Sequence, residues 1–322
     1  MLRSFSLARF RFVLEPEDRL ALHPRNPGNT LRGAFGSTFK RLVCPAPSEC
    51  RDTCRLKATC PYGQIFEPSP PPGTDRLSLN QDIPRPFVLR PPHGHESTAG
   101  RDQTLHFGLT LIGKAVEYFA YFLVTFRELG AQGIGIGRGR YRITCVKALN
   151  DCEEEIAEVY SGSDNMVRPS FYRLTYKDCC RLAAERFPNR NCITIRFLTP
   201  THLKADGKIV TRPDFHHVIK RLRDRINALA HFYCQDALDL DHKAFGQRAE
   251  SVCTVNSHVR WEDRDRRSWK TGLSHDMGGL VGEVTYEGNL QEFIPLLILG
   301  QYTHVGKYAV WGNGLYEVVT GE

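Results

Sequence analysis

Four cysteines, Cys44, Cys50, Cys54 and Cys60, fall within 17 residues of a stretch that has no apolar core of its own. Four thiolates can complete the tetrahedral shell of a zinc ion, and a small excursion of chain gains most from such a clamp. The spacing is not a double Cys-x-x-Cys. A structural zinc therefore stands beside three other readings: four free thiols, an iron–sulfur cluster or disulfides. His304 is the second candidate. It sits at the mouth of the stretch GQYTHVGKYAVWGNG, two residues after Tyr302 and three before Lys307. An imidazole there can act as general acid or base, or serve as a structural hydrogen bonder. His216 and His217, adjacent on a helical segment, cannot share a face and read as ordinary histidines. No Gly-x-Ser-x-Gly elbow, His-Glu-x-x-His or catalytic carboxylate pair occurs, so hydrolases of those kinds find no support.

Two Gly-rich loops could bring backbone N–H groups up to phosphate oxygens. Each precedes a strand, not a helix, so neither is a P-loop or a dinucleotide fingerprint. In the first loop Arg138, Arg140 and Arg142 alternate. On an extended segment all three would point to one side as a phosphate track, or simply line a solvated face. The first helix carries Arg32, Gly36 and Lys40 beside Gly33, Ser37 and Arg41 on one broad face. Its two glycines suggest a close approach by an RNA backbone or by the other domain.

These residues must be positioned by regular elements, and periodicity supplies them. Ser6–Leu14 alternates apolar and polar residues, a strand with one apolar face. Leu31 to Leu42 follow helical spacing, with Asn29 or Thr30 as N-cap. Strands at 86–89 and 104–112, a helix over 115–129 and a strand at 141–146 complete the first half. The second half repeats the order: strand 192–198, helix 215–232, strands 257–261 and 280–286, helix 291–299, strand 315–319. Both halves end alike, Gly137-Arg-Gly139-Arg-Tyr141 against Gly312-Asn-Gly314-Leu-Tyr316. The reading is an α+β protein of tandem ferredoxin-like (βαββαβ, RRM-like) domains: 1–150 with a cysteine-rich insertion at 44–60, an acidic connector 151–190, and 191–322.

Composition narrows the class. Of 322 residues 41% are hydrophobic, which excludes wholesale disorder. Eleven scattered cysteines point to a reducing cytoplasm. Arg9 and Arg11 interrupt any signal-peptide core, and no apolar run is long enough for a membrane span, so a soluble protein is expected. The net charge of +7 is an average over opposites. Residues 1–43 hold eight Lys/Arg against three acids and 132–150 four against none, while 151–164 hold six acids and no base. That distribution favours RNA as partner.

Several stretches resemble one family. LRGAFGSTFKRLVC, CPYGQIFEP and IPRPFVLRPP look like its N-terminal half; FLTPTHLKADGKIV, GGLVGEVTYEG and HVGKYAVWGNGLYEV look like its C-terminal half. The family is the CRISPR-associated RAMP endoribonucleases, which mature guide RNA from repeat RNA. The resemblance implies tandem ferredoxin-like domains and metal-independent cleavage. In such cleavage the 2′-OH attacks the adjacent phosphate, leaving 2′,3′-cyclic phosphate and 5′-OH ends. In many similar proteins a catalytic histidine lies on the first helix where this chain has Ser37. Here His304 would take the role, with Lys40 or Lys307 as electrostatic partner. Arg32, Arg41, Arg138, Arg140, Arg142, Arg264, Arg266, Arg267 and the loop glycines Gly306, Gly312 and Gly314 would hold the RNA, and Tyr302 or Trp311 would stack on a base. No catalytic cofactor is expected. Partners would be repeat or precursor guide RNA and other CRISPR effector subunits, with neither membrane nor DNA. Two alternatives stand beside this reading: a non-catalytic RNA-binding subunit of a CRISPR ribonucleoprotein, and a zinc-stabilised adaptor whose partner is protein.

Overall fold

Alternating side chains make Ser6–Pro16 the central strand of the first sheet (β1), with Ala8, Phe10, Phe12 and Leu14 fully buried. In a computed structural model all residues are described except 46–53, 72, 75–82, 93, 190, 268–273 and 321–322. The chain divides into two compact units, Leu7–Arg173 and Leu174–Glu322 together with Met1–Ser6. The first six residues join the second unit because Asp236 accepts the backbone N–H groups of Arg3, Ser4 and Phe5 at 2.6–3.0 Å.

In the first unit β1 is followed by α1 (Pro27–Val43), a short α2 (Pro61–Ile65), β2 (Phe87–Arg90), β3 (Leu105–Ile112), α3 (Phe119–Gln132) and β4 (Tyr141–Leu149). Two further strands, β5 (Glu155–Ser161) and β6 (Met166–Val167), extend the sheet, whose order is β2-β3-β1-β4-β5-β6 with antiparallel neighbours. Helices α1 and α3 cover one face through aromatic contacts. The ring centroids of Phe10–Phe119 are 4.6 Å apart, those of Phe12–Phe126 5.4 Å and those of Phe35–Phe122 4.7 Å. Helix α1 begins earlier than expected. Asn26, not Asn29 or Thr30, is the N-cap, and its side chain accepts from Asn29 N at 3.2 Å with Pro27 in the first turn.

The second unit begins with α4 (Tyr176–Arg186), which packs on α7 (Ile294–Thr303). Between them run β7 (Cys192–Thr201), α5 (Phe215–Cys234), α6 (His242–Glu250), β8 (Cys253–Glu262) and β9 (Gly279–Glu287); β10 (Tyr316–Thr320) ends the unit. The antiparallel sheet has the order β8-β9-β7-β10. Numbering the strands of each βαββαβ series one to four, both units have the order two-three-one-four. Helix α5 buries Phe215, Val218, Ile219, Leu222, Ile226 and Leu229, the face its periodicity marks. Helix α6 had no such signal in the sequence.

The segment expected as an acidic connector, 151–190, is divided between the units. Its first part forms β5 and β6 and supplies partners to bases on the sheet face that α1 and α3 leave open. Register sets Arg90, Gly108, Arg11, Lys147 and Glu158 in one row across that face. Glu153 pairs with Arg9 and with Arg90 (2.8 Å), Glu155 with Arg11 (3.0 Å) and Glu158 with Lys147 (2.7 Å). A cavity of 230 Å³ lies among Arg9, Arg11, Arg90 and His106. The separation of charge along the sequence is thus undone in three dimensions.

Each unit closes in the same way. The hydroxyl of Tyr141, at the start of β4, donates to the Phe126 carbonyl of α3 at 2.8 Å. That of Tyr316, at the start of β10, donates to the Leu297 carbonyl of α7 at 2.7 Å. Both tyrosines are buried. Gly130 and Gly300 face them at positions where a Cβ would overlap the Tyr141 backbone or the Tyr316 hydroxyl.

Gly36 of α1 lies under the Phe66 ring, so a Cβ there would overlap it, whereas Gly33 has nothing within 4 Å. Gly36→Val should cost about 1–3 kcal/mol. Gly33→Ala should be neutral or stabilise by up to about 1 kcal/mol. Urea denaturation distinguishes them, and equal effects would contradict the packing. By the same assay Tyr141→Phe and Tyr316→Phe should each lose about 0.5–1.5 kcal/mol, because a buried hydrogen bond is removed while the carbonyl keeps its helical partner.

Candidate functional site

The C-terminal Gly-rich loop, 304–314, starts where α7 ends. Arg225 of α5 donates from Nε to the carbonyl of Thr303 at 3.0 Å, a cation at the negative end of the helix. Burial pulls the Arg225 guanidinium down to about 10, so it is still charged at neutral pH. Beyond it the backbone has positive φ at His304 (59°), Gly306 (81°), Tyr308 (64°), Gly312 (87°) and Gly314 (73°). Two of these are not glycine, and such backbone persists only where its surroundings over-determine it. Here the end of β7 does so. Thr199 Oγ1 donates to Gly312 O and accepts from Leu315 N, both at 2.9 Å. Lys307 N donates to His202 O at 3.0 Å, and Gly314 N to Pro200 O at 3.1 Å. A Cβ on Gly306 would stand 2.6 Å from the His202 carbonyl oxygen, so only glycine fits that approach.

His304 is 2% exposed. Its Nδ1–H donates to the Asn313 carbonyl at 3.0 Å, while Asn313 Nδ2 donates to Met277 O at 3.1 Å. The arrangement corresponds to the structural alternative weighed for this histidine. Lys307 is exposed. Burial, and then the neighbouring Lys204 ammonium, hold it below the usual lysine range. Two ammonium groups side by side form a locus that an anion would relieve. Gly312 and Gly314 are buried in the loop. Tyr302, expected to stack on a base, lies on α7 and is 6% exposed. Trp311 is half-buried, edge-on to Tyr308 at 5.8 Å.

His202 was not among the residues the sequence singled out. It is 4% exposed, and its Nδ1–H donates to the Gly278 carbonyl at 2.9 Å. That bond leaves Nε2 buried with no hydrogen-bond partner among the described residues. The rings of Trp261 and Tyr308 meet it edge-on at 5.7 and 5.9 Å. An unmet buried acceptor costs about 1–3 kcal/mol. The only clue in the sequence is a histidine just past a strand, two residues before Lys204.

The N-terminal candidates occupy separate places. The face of α1 expected to meet RNA or the other domain is covered only in part: Gly33, Ser37 and Arg41 are exposed, while Phe66 and Tyr62, just past the cysteine-rich insertion, lie against the rest. Arg32 lies over the Phe66 ring at 4.1 Å, and Lys40 over Tyr62 at 5.8 Å. Arg41 approaches Glu128 at 3.5 Å. Ser37 is exposed, with Oγ donating to the carbonyls of Gly33 and Ala34. Arg138, Arg140 and Arg142 do not form a track, because β4 begins only at Tyr141 and Arg138 lies in a turn with φ 51°. Arg140 pairs with Asp18 (3.1 Å), and Arg142 with Glu15 (3.2 Å) and Glu17 (3.5 Å). Hydrogen bonding to Arg140 holds the Asp18 carboxyl below its usual range. Arg264 pairs with Glu262 at 2.8 Å. The backbones of Arg266 and Arg267 pair with His275 and Ser274 in a short hairpin. Cys44, Cys54 and Cys60 are free thiols, half-buried, and are not gathered into a ligand group among the described residues. Cys50 lies outside those residues. No helix among the described residues is long and apolar enough to cross a membrane.

Comparison with known proteins bears on both units. None of the curated proteins matches the chain. Among solved structures, a Cas6 product complex is 18% identical, with 99% of this chain and 100% of that one covered and a TM-score of 0.57. Thermus thermophilus Cas6 is 16% identical, with 98% and 100% covered and a TM-score of 0.53. A chain of a partial Cas6-RT-Cas1–Cas2 complex is 11% identical, with 98% of this chain but 46% of that one covered and a TM-score of 0.59. At these identities the likeness is one of fold. Family models are more specific. Residues 5–171 match the AF_1859 N-terminal domain, and residues 195–316 match the CRISPR-associated endoribonuclease Cas6, a span that includes His202, Lys204 and all of loop 304–314. The second of these matches, which takes in most of the second unit, places residues 195–316 in the CRISPR-associated Cas6 family.

Proposed function

We propose that this Cas6-family endoribonuclease cuts CRISPR repeat RNA without a metal ion to mature guide RNA in the cytoplasm, its two units being tandem ferredoxin-like domains. The 2′-OH attacks the adjacent phosphorus, the 5′-oxygen leaves, and the products carry 2′,3′-cyclic phosphate and 5′-OH ends. A base must take the 2′ proton, an acid must supply one to the leaving oxygen, and cations must steady the extra charge on phosphorus. One observation carries the reading: the segment matching the endoribonuclease family is the one in which His202, Lys204, Lys307 and the strained loop 304–314 come together.

Lys307 is well suited to the phosphate, since the charge of Lys204 beside it favours an anionic partner. His304 could reach the 2′-OH only if the loop opened, because its ring is buried and bonded to Asn313. That burial, with serine at position 37, favours a second reading in which the chain grips repeat RNA without cutting it. Structural zinc at Cys44, Cys50, Cys54 and Cys60 belongs to either reading, as four thiolates from one excursion suit a closed tetrahedral site.

Cleavage of cognate repeat RNA in EDTA tests the first reading. Cyclic-phosphate product should form in the wild type and fall about 10²–10⁴-fold in His304→Ala with binding retained. A requirement for added Mg²⁺ would sink the mechanism, and tight binding without product would establish the second reading. Unchanged cutting in His304→Ala would move the base elsewhere, with His202→Ala the next variant to assay. Lys307→Ala should reduce the slope of log affinity against log salt by about 0.7 for one single-strand phosphate. Elemental analysis should find one equivalent of zinc fewer in Cys44→Ser and Cys60→Ser than in the wild type; equal zinc in both variants and wild type would exclude the cysteine site.

A further inference from the structure

Adjacent residues on a helix point about 100° apart, which is why His216 and His217 read from sequence as unrelated. In the structure their ring centroids stand 4.0 Å apart. Asp214 joins them. One ligand atom from each of Asp214, His216 and His217 lies within 4.8 Å of the other two. Asp214 holds the N-cap position of α5, yet its side chain makes no capping hydrogen bond. Its Oδ2 faces His217 Nδ1 at 3.9 Å, too far for a hydrogen bond, and its Oδ1 accepts from Thr254 Oγ1 at 3.5 Å. His217 Nδ1 is itself a buried atom with no hydrogen-bond partner among the described residues. A carboxylate released from its capping role and a bare ring nitrogen thus face each other across a gap too wide for a proton.

We propose that Asp214, His216 and His217 bind a divalent transition-metal ion, zinc foremost. Two imidazoles and one carboxylate are donors that zinc, cobalt and nickel take readily, whereas magnesium and calcium prefer oxygen alone. Metal–ligand distances of about 2.0–2.2 Å require the three donors to close in slightly from their present spread, which side-chain torsions allow. The fourth position falls to water or to Glu250 at the end of α6. Its carboxylate is close enough to His216 for their charges to interact and is now paired with Lys220. The positive end of α5 and the Lys220 ammonium oppose a cation, and Asp214 and Glu250 offset them.

The ion would be a clamp and not a catalyst. Asp214 reaches Thr254, near the start of β8, which pairs with Tyr286 at the far end of β9. The His202 end of β7 meets the other end of that strand, where Thr201 pairs with Leu280. Six residues of strand separate the two ends, about 20 Å. The site would tie the start of α5 to β8 and to the end of α6, independently of RNA cleavage.

Cobalt titrated into the chelator-treated full chain tests this site apart from the cysteines, since thiolate ligands add a charge-transfer band that imidazole and carboxylate do not. Besides any thiolate-bound equivalent, marked by its charge-transfer band, the wild type should bind one further equivalent whose d–d bands appear without adding to that thiolate band. His216→Ala, His217→Gln and Asp214→Asn should each weaken it by at least about tenfold. Zinc should displace the cobalt and raise the Tm of the wild type more than that of the double variant His216→Ala/His217→Gln. All three positions lie at the surface end of a helix, and His217→Gln keeps most of the volume. If the folded double variant binds this cobalt equivalent as the wild type does, or if the wild type holds only thiolate-bound cobalt, the site does not exist.

Discussion

A tyrosine hydroxyl bound to a helix carbonyl is the joint on which each unit depends. Tyr141 reaches Phe126 O and Tyr316 reaches Leu297 O, each from the first residue of a unit's last βαββαβ strand into the helix that precedes it. An apolar contact would let that helix slide or turn on the sheet, because hydrophobic attraction has no direction. A buried hydrogen bond does not, since any shift leaves a buried hydroxyl unmet. In the second unit the consequence runs on to the site. Helix α7 is held at Leu297, its end is held by Arg225 at Thr303, and loop 304–314 therefore leaves from a defined point. Its left-handed residues could not be maintained on a mobile support.

The two units use one plan for different ends. Both place a Gly-rich loop before the closing strand, and both loops pack on the segment that follows their unit's first strand. In the first unit Ile136 N bonds to Ala21 O at 2.7 Å; in the second Lys307 N bonds to His202 O at 3.0 Å. The glycines are thus explained first by backbone meeting backbone, and any contact with phosphate comes in addition. What differs is the chemistry around them. The arginines near the first loop are largely engaged with Asp18, Glu15 and Glu17, whereas the second gathers two lysines and an unsatisfied imidazole.

Much of this was legible in the residues. The alternation of Ser6–Leu14, the apolar stripe of α5 and the repeated Gly-x-Gly-x-Tyr all mark local geometry, and local geometry is what periodicity records. What was not legible depends on partners distant in sequence. Gly36 stands on the polar face of α1 because Phe66 lies on it, and no pattern within the helix says which ring will arrive. His304 reads as a reactive histidine until the Asn313 carbonyl is seen to hold it. His202 reads as nothing until its Nε2 is found without a partner. Strands β5 and β6 were hidden because their acids break the apolar alternation, and it is the bases of neighbouring strands that make those acids fit.

Those acids also bear on how the first unit can meet a polyanion. RNA ordinarily gains affinity by shedding the small cations condensed along its backbone when protein cations replace them. On the open face of the first sheet, Arg9, Arg11, Arg90 and Lys147 already have carboxylates as fixed counter-ions, tethered by the same chain. A strand of RNA laid there would first have to displace Glu153, Glu155 and Glu158, which cannot diffuse away. The entropy that drives most basic surfaces onto nucleic acid is therefore largely missing from this one.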